Sequence, residues 1–238
     1  MLKKYIKICI LPIALTLALA ACSSPDGNIN KHSASSSSAA QDPNLIHLVK
    51  VEDIIISAPK NTNSDVFGSL TVQAGKLSKT FPWMNVTNPT YYPIVHIADI
   101  DDDDKNEVII ILTNGYGTGT NEQEIHVLNK EDLSELTLED PLQAIKEQVT
   151  SQIIHDQDQV NVVVKTTAGK VERTYNESDA VLWNEEVSFG SIIRYSVTDN
   201  IITVTIPGSV SPAAFAVDAN LEYGTDLKVK AISLEPIL

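Results

Sequence analysis

The feature that most constrains this chain is an acidic run at residues 99–107, Asp-Ile-Asp-Asp-Asp-Asp-Lys-Asn-Glu, where six of nine residues are acidic. Apolar segments at 94–98 and 108–112 flank it, and each has the length of a β-strand. Carboxylates crowded in this way repel one another unless solvent or a cation separates them. The run therefore predicts a bend between two strands that is either solvated or metal-binding.

The spacing of the acidic side chains favours a metal-binding bend. A calcium ion takes six to eight oxygens at about 2.3–2.6 Å, supplied in short loops by alternate carboxylates and a backbone carbonyl. Asp99, Asp101 and Asp103 occupy positions 1, 3 and 5 of such a loop. The Lys105 carbonyl would follow at position 7 and the Glu107 carboxylate at position 9.

Two further positions of the run test this interpretation. Asp102 lies between ligand positions and is expected to face solvent. Position 6 of calcium loops usually holds glycine, because the chain turns there with a positive φ. Asp104 stands at this position, and Asp tolerates that conformation better than most residues.

The segment 97–109 resembles the calcium loop of FG-GAP and VCBS-type repeats, which are strand-loop-strand units of integrin-like β-propellers and many bacterial surface proteins. The family loop reads Asp-x-Asp/Asn-x-Asp-Gly-x-x-Asp/Glu and precedes a hydrophobic strand. The resemblance implies Ca²⁺ as cofactor and implies ligand roles for the five positions assigned above. No second copy of the loop occurs, and Phe67-Gly68 has no Gly-Ala-Pro after it, so a complete propeller is not expected.

The first 21 residues have the pattern of an export signal. Lys3, Lys4 and Lys7 precede an apolar stretch at 8–21, which is short for a membrane-spanning helix. The sequence Leu-Ala-Ala before Cys22 resembles the lipobox of bacterial lipoproteins. The resemblance implies cleavage before Cys22, lipidation of its thiol, and a protein attached to the outer side of the cell membrane.

Residues 22–41 are rich in Ser and Ala and predict a disordered tether, because they offer too little apolar surface to offset chain entropy. Cys9 and Cys22 are the two cysteines of the chain, so the mature domain has no disulfide or thiolate-metal site. The formal charge of −14 disfavours nucleic acid and anionic lipid surfaces as partners.

The remaining residues predict a mainly β (α+β) fold with antiparallel sheets and one amphipathic helix. Two lobes are expected, 42–135 with the calcium loop and 136–238 with the helix, packed as one globular unit. Asp140 is the predicted N-cap of the helix, followed by Pro141 and by Gln143 as in a capping box. The apolar stripe of this helix comprises Leu142, Ile145, Val149 and Ile153.

Two hairpins follow the predicted helix. The first has alternating valines from residue 160 to 164 and a turn at Ala168-Gly169. The second turns at Asp199-Asn200, with Pro207-Gly208 predicted to end its returning strand. A last strand begins near Leu227, and its inward phase shifts at Ile232, which indicates a bulge.

The glycine-rich segment 114–119, Asn-Gly-Tyr-Gly-Thr-Gly, has two interpretations. A phosphate-binding loop would require a helix immediately after it, whereas the next residues are acidic and lead into a predicted strand. A wide turn is therefore favoured. Tyr116, Gly117 and Thr118 are expected to form the rim of a binding surface beside the metal loop.

The sequence evidence for a catalytic site is weaker than the evidence for the calcium loop. His96, His126 and Glu124 would form a zinc site only with a further ligand, and structural histidines are the favoured alternative. No Gly-x-Ser-x-Gly motif is present. The aromatic cluster before the metal loop predicts either core packing or an exposed stacking surface; it comprises Phe81, Trp83, Tyr91 and Tyr92.

Together these features predict a non-catalytic, lipid-anchored cell-envelope protein. Its calcium-stabilised β domain would have a binding, adhesion or scaffold role, with an envelope protein or polysaccharide as partner. The alternative is an envelope hydrolase in which the calcium site is structural.

Overall fold

Alternating apolar and polar residues produce long antiparallel strands through most of the chain. The computed structural model describes residues 44–60 and 63–237, and these are mostly strand with one α-helix. This confirms the predicted fold class. The predicted signal, the lipidation site at Cys22 and the predicted tether lie outside the described residues. Within the described part, no helix has the length and apolarity needed to cross a membrane.

The strands are numbered in chain order. They are β1 (Leu45–Val51), β2 (Ile54–Pro59), β3 (Val66–Phe67), β4 (Leu70–Ala74), β5 (Leu77–Phe81), β6 (Asn85–Val86), β7 (Ile94–Ala98), β8 (Glu107–Gly117), β9 (Thr120–Asn129), β10 (Glu135–Leu136), β11 (Thr150–Asp156), β12 (Gln159–Lys165), β13 (Lys170–Asn176), β14 (Ser188–Phe189), β15 (Ile192–Thr198), β16 (Ile201–Ser211), β17 (Ala214–Tyr223) and β18 (Val229–Pro236). The helix is α1 (Pro141–Gln148), and the two short 3-10 helices are Pro89–Tyr91 and Glu177–Asp179.

A nine-stranded sheet organises the molecule. Its order is β18-β17-β16-β15-β9-β8-β7, with β10 also paired to β9 and β14 to β16. A four-stranded sheet (β1-β2-β4-β5), a three-stranded sheet (β11-β12-β13) and the pair β3–β6 complete the described strands. Every pairing is antiparallel except that of β15 with β9. The described strands close into neither a barrel nor a propeller.

The large sheet crosses the boundary between the two predicted lobes. In the parallel pairing of β15 with β9, Ile192 lies opposite Asn121, and the Asn121 N–H donates to the Ser191 carbonyl at 3.0 Å. The side chain of Gln123 also accepts from the Tyr195 N–H at 2.7 Å. Strands from both predicted lobes therefore belong to one sheet, and the described residues within Gln41–Leu238 belong to one compact unit.

Strand β8 lies between two cores because both of its faces are apolar. Val108, Ile110 and Leu112 pack with residues of the four-stranded sheet in one core. Ile109 points the other way, into a second core that includes Ile145 of α1. The burial of residues 108–112 on both faces was predicted from their continuous run of aliphatic side chains.

The predicted helix start is confirmed, and its predicted stripe is too long. The Asp140 carboxylate caps α1 by accepting from the Leu142 N–H at 2.9 Å. Gln143 does not complete a capping box, since its amide donates to Glu147 instead. The helix ends at Gln148, and Ile153 lies in β11 because extended residues begin at Val149.

Both predicted hairpins form, with one correction. Asp199 and Asn200 have φ of 51° and 62°, which a two-residue turn of this kind requires. Pro207 and Gly208 do not end the strand, because β16 continues to Ser211 and pairs with β17 through bulges that absorb the irregularity. The bulge predicted in the last strand is confirmed by a register shift in its pairing with β17.

Candidate metal centre

The acidic run forms the connection between β7 and β8, as the sequence predicts. The two strands pair with Ala98 opposite Glu107 and Ile97 opposite Val108, so they enter and leave the bend side by side. Ile100, the single apolar residue in the bend, is buried and secures it against the second core. The ends of the acidic bend are therefore fixed by the sheet.

Three of the five predicted ligand residues converge. Asp99, Asp101 and Glu107 each present a carboxylate oxygen such that the three oxygens lie within 4.8 Å of one another. Glu107 is the most deeply placed, with only 1% of its surface exposed, because it begins the buried strand β8. One cation placed among these oxygens would contact all three carboxylates.

Backbone N–H groups hold two of the converging side chains in place. The two Asp99 oxygens accept from the N–H groups of Asp103 at 3.2 Å and Asp104 at 3.1 Å. The Glu107 Oε2 accepts from the Ile100 N–H at 3.1 Å. The bend is thus a ring of carboxylates braced by its own main chain.

The turn within the bend uses two residues in the left-handed region. Asp102 has φ of 62° and is exposed, as predicted for a residue between ligand positions. Asp104 has φ of 64° at the position where calcium loops usually carry glycine. The expectation that Asp104 takes the glycine conformation is confirmed.

The electrostatics of the bend are unfavourable without a counterion. Burial raises the pKa of the Glu107 carboxyl above its ordinary value, and the hydrogen bond from Ile100 opposes this increase. The charges of Asp101, Asp103 and Asp99 raise the same pKa further. Among the described residues, the buried Oδ1 atom of Asp101 has no hydrogen-bond partner. An all-oxygen group of this kind suits a hard cation.

The other two predicted ligands are arranged differently. The Asp103 side chain is exposed and accepts from the Lys105 N–H at 2.9 Å, so it is not part of the converging group. The Lys105 ammonium forms an ion pair with Glu131 at 3.0 Å. The ligand roles of the Asp103 carboxylate and the Lys105 carbonyl remain predictions.

The predicted rim lies far from the metal loop, and its predicted place beside the loop is wrong. Tyr116 and Gly117 end β8 and Thr118 follows, whereas the acidic bend precedes Glu107 at the start of the same strand. Eleven strand residues span roughly 33 Å. The turn at the rim is also tighter than expected, because only Thr118 and Gly119 separate β8 from β9.

The structure does not bring His96 and His126 together, so the zinc site that the sequence disfavoured cannot include both histidines. His96 lies opposite Ile109 in β8, and Ile109 lies opposite Val127 in β9. Residues paired in this way share a face of the sheet, and successive residues alternate faces. His126, which follows Ile125 and precedes Val127, therefore points away from the face that carries His96.

The aromatic cluster is divided between core and surface. Phe81 and Trp83 are buried and stack with ring centroids 3.9 Å apart. Tyr91 is half-buried and stacks on Tyr116, which is 45% exposed, at 4.3 Å. The exposed aromatic surface of this cluster therefore lies at the rim, where Tyr91 stacks on Tyr116, whereas the Phe81–Trp83 stack is part of the core.

Sequence reasoning did not identify Glu135 as a functional candidate, although it contacts His126. Its Oε1 lies 2.7 Å from the His126 Nδ1, across the pairing of β10 with β9. The two-residue strand β10 has no periodicity by which it could have been recognised.

No protein-family model, curated protein or solved structure matches this chain. The candidate sites are therefore argued from the residues and their geometry.

Proposed function

We propose that the bend between β7 and β8 binds Ca²⁺, and that the protein is a non-catalytic binding or scaffold module of the cell envelope. The observation that supports calcium binding is the convergence of Asp99, Asp101 and Glu107, with an unpartnered Asp101 oxygen among them. These residues would hold the ion directly, and their backbone hydrogen bonds orient them for it.

The donor set favours calcium over other common cations. Zinc prefers nitrogen and sulfur ligands, and the converging group at this bend offers only carboxylate oxygens. Magnesium demands near-octahedral geometry at about 2.0–2.1 Å and retains its water shell. Calcium accepts irregular oxygen geometry, and the carboxylate oxygens of this bend, which are oriented by backbone hydrogen bonds, have no octahedral requirement to meet.

The consequence of binding would be a more rigid loop. A weak extracellular calcium site has a Kd near 10⁻⁴–10⁻³ M. At about 1 mM calcium, binding to the native state alone stabilises it by roughly 0.4–1.4 kcal/mol. The bound ion would also offset the repulsion among Asp99, Asp101 and Glu107. This repulsion adds to the effect of burial in raising the pKa of the Glu107 carboxyl.

The envelope role rests on the predicted signal and lipidated Cys22, which would leave the β domain facing outward. The rim formed by Tyr116, Gly117 and Thr118 is the proposed contact surface for an envelope protein or polysaccharide. Supporting this choice, the exposed Tyr116 ring is held in place by stacking on Tyr91 and by the Asn88 amide, which donates to its hydroxyl at 3.2 Å.

Calcium binding is tested by thermal melting of the soluble chain from residue 23 onward, in calcium, in magnesium and in chelator. Asp101→Asn is compared with Asp102→Asn, since each removes one negative charge from the same bend. Calcium is expected to raise the melting temperature of the native protein and of Asp102→Asn by several degrees, corresponding to about 1 kcal/mol. The increase should nearly vanish in Asp101→Asn.

Equal calcium shifts in the two variants would overturn the assigned site, because charge alone would then explain them. No shift in the native protein would overturn calcium binding itself.

Lipidation is tested separately, by metabolic labelling with a radioactive fatty acid in a bacterial host. Label in the native full chain and none in Cys22→Ser is expected, and label in both would contradict it.

A further inference from the structure

We propose a second cation site, selective for zinc-class ions, formed by the imidazole of His126 and the carboxylate of Glu124. Both residues lie on β9 and share one face of the sheet, because they are two positions apart. The site is separate from the acidic bend and shares no residue with it. Its binding would not depend on calcium.

His126 is buried and rigidly held. Only 7% of its surface is exposed. Its ring stacks on Trp83 with centroids 3.8 Å apart and an interplanar angle of 14°, and Trp83 stacks in turn on Phe81. A buried histidine normally has partners for both ring nitrogens. Here the Nε2 atom is buried without a hydrogen-bond partner among the described residues.

Glu135 determines which nitrogen is available. Its carboxylate lies 2.7 Å from the His126 Nδ1, and an ionised carboxylate only accepts hydrogen bonds. The Nδ1 atom must therefore carry the proton, which leaves a lone pair on Nε2. Metal-bound histidines commonly donate their second ring N–H to a carboxylate in this way.

Glu124 faces that lone pair. Its Oε1 lies 3.5 Å from the His126 Nε2, and both atoms are acceptors in the neutral form of the ring. Two acceptors facing each other need a positive charge between them. A proton would shorten the contact to about 2.7–2.9 Å. Ligands on a tetrahedral zinc at bond lengths of about 2.0–2.1 Å lie about 3.4 Å apart, which matches the observed separation.

The surroundings complete the arrangement. The Asn114 amide donates to the other Glu124 oxygen at 2.8 Å, so Glu124 is oriented as His126 is by Glu135. A surface cavity of about 420 Å³ opens here, lined by Glu124, His126, Glu135 and neighbouring residues up to Leu138. Water or an external ligand in this cavity would supply the remaining coordination positions.

The mixed nitrogen and oxygen donors indicate the class of ion. Imidazole nitrogen suits zinc, copper and nickel, whereas calcium and magnesium prefer oxygen alone. The acidic bend and the His126 site would therefore differ in selectivity. With two protein ligands, we expect the His126 site to bind at micromolar metal.

The first experiment measures Zn²⁺ binding to the metal-free, unlipidated chain by isothermal titration calorimetry, in millimolar calcium so that the acidic bend is engaged. Glu124→Gln is the main variant, because Glu124 is 48% exposed and its replacement leaves the buried stack intact. His155→Gln is the matched control, since His155 also pairs with a carboxylate, Glu177, at 2.8 Å but is half exposed. Glu124→Gln should weaken binding at least about tenfold, and His155→Gln should not change it.

The second experiment locates the ion by tryptophan fluorescence. The chain has two tryptophans, so Trp183→Phe leaves Trp83 as the reporter in contact with His126. Trp83→Phe leaves Trp183, whose indole donates to the Glu177 carbonyl beside His155. Ni²⁺ or Cu²⁺ should quench Trp83 strongly and saturably, and Zn²⁺ should reverse the quenching by competition. Trp183 should be quenched much less.

Three results would overturn the proposal. The first is undiminished Zn²⁺ binding in Glu124→Gln, and the second is a loss of Zn²⁺ affinity in His155→Gln equal to that in Glu124→Gln. The third is no Zn²⁺ binding in the native protein, which would mean that only a proton lies between Glu124 and His126. Repeating the titration in Asp101→Asn separates the two sites. Zinc binding there should be unchanged, whatever the outcome for calcium.

Discussion

At the residue scale, Glu107 is the most deeply buried carboxylate of the acidic bend. Its carboxylate is buried at the start of β8, and its pKa is raised first by burial and then by the neighbouring Asp charges. A carboxyl whose pKa is higher in the folded state than in the unfolded state binds more protons when folded. Stability therefore falls as pH rises from the ordinary glutamate pKa through the raised pKa of the folded state.

Glu107→Gln is expected to have opposite effects with and without calcium. In chelator at neutral pH, the substitution should raise the free energy of unfolding. The amide can still accept from Ile100 and can donate to the unpartnered Asp101 oxygen. In calcium, the loss of a charged ligand should weaken binding by roughly tenfold. Chemical denaturation in both conditions measures this crossover.

The same variant tests the pH dependence. In chelator, native stability should decline between acidic and neutral pH relative to Glu107→Gln. Parallel stability curves for the two proteins over this range would contradict the raised pKa of Glu107.

Asp104→Gly is expected to stabilise the bend. Asp104 has φ of 64°, which costs about 1 kcal/mol for a residue with a Cβ and nothing for glycine. The greater entropy of glycine in the unfolded chain offsets part of this gain. Asp104 is exposed and outside the converging group, so calcium affinity should be retained or increased. Reduced affinity measured by calorimetry would show that the Asp104 side chain takes part in binding.

At the scale of elements, β16 depends on close contact with β14. Gly208 pairs with Phe189, and a Cβ added at Gly208 would lie 2.6 Å from the Val187 Cγ1 and 2.8 Å from the Phe189 Cε1. This explains why glycine occurs at position 208 inside a long strand. The missing side chain is required by the strand that lies across it.

Gly208→Ala is therefore expected to destabilise the protein by about 1–3 kcal/mol through overpacking. Gly117→Ala is the matched control, because Gly117 also lies in a strand but has no atom within 4 Å of an added Cβ. The free energy of unfolding in denaturant measures both. A similar small effect in the two variants would mean that β14 yields without cost.

At the scale of the whole molecule, the nine-stranded sheet joins the two halves of the chain. The pairing of β15 with β9 places residues about seventy positions apart side by side, as Asn121 and Ile192 show. One shared sheet couples the unfolding of its strands, since neither half can lose its structure without exposing the sheet edge of the other.

Unfolding is therefore expected to be a single transition. Trp83 packs in the core beside the four-stranded sheet, and Trp183 packs beside the three-stranded sheet. In Trp183→Phe and in Trp83→Phe, the remaining tryptophan fluorescence and the far-UV circular dichroism should give the same denaturant midpoint. Separate midpoints within either variant would show that the two predicted lobes unfold independently.

Local features of this protein were determined by the sequence. Some structural features depend only on residues within a few positions of one another. They are the acidic bend with its alternate aspartates, the positive φ at Asp104, the helix cap by Asp140 and the turn at Asp199-Asn200. Short-range hydrogen bonds and φ preferences decide such features, so the pattern along the chain is sufficient to predict them. The burial of residues 108–112 in β8 was predictable from their continuous run of aliphatic side chains.

Only the tertiary structure decided which distant residues meet. Strand pairing and register placed His96 and His126 on opposite faces, joined β15 to β9, and brought Glu135 to His126. A shift of one residue in register reverses the face of every side chain, and no local pattern specifies the partner strand. The acidic bend was therefore predictable from the sequence, whereas the His126 site required the sheet.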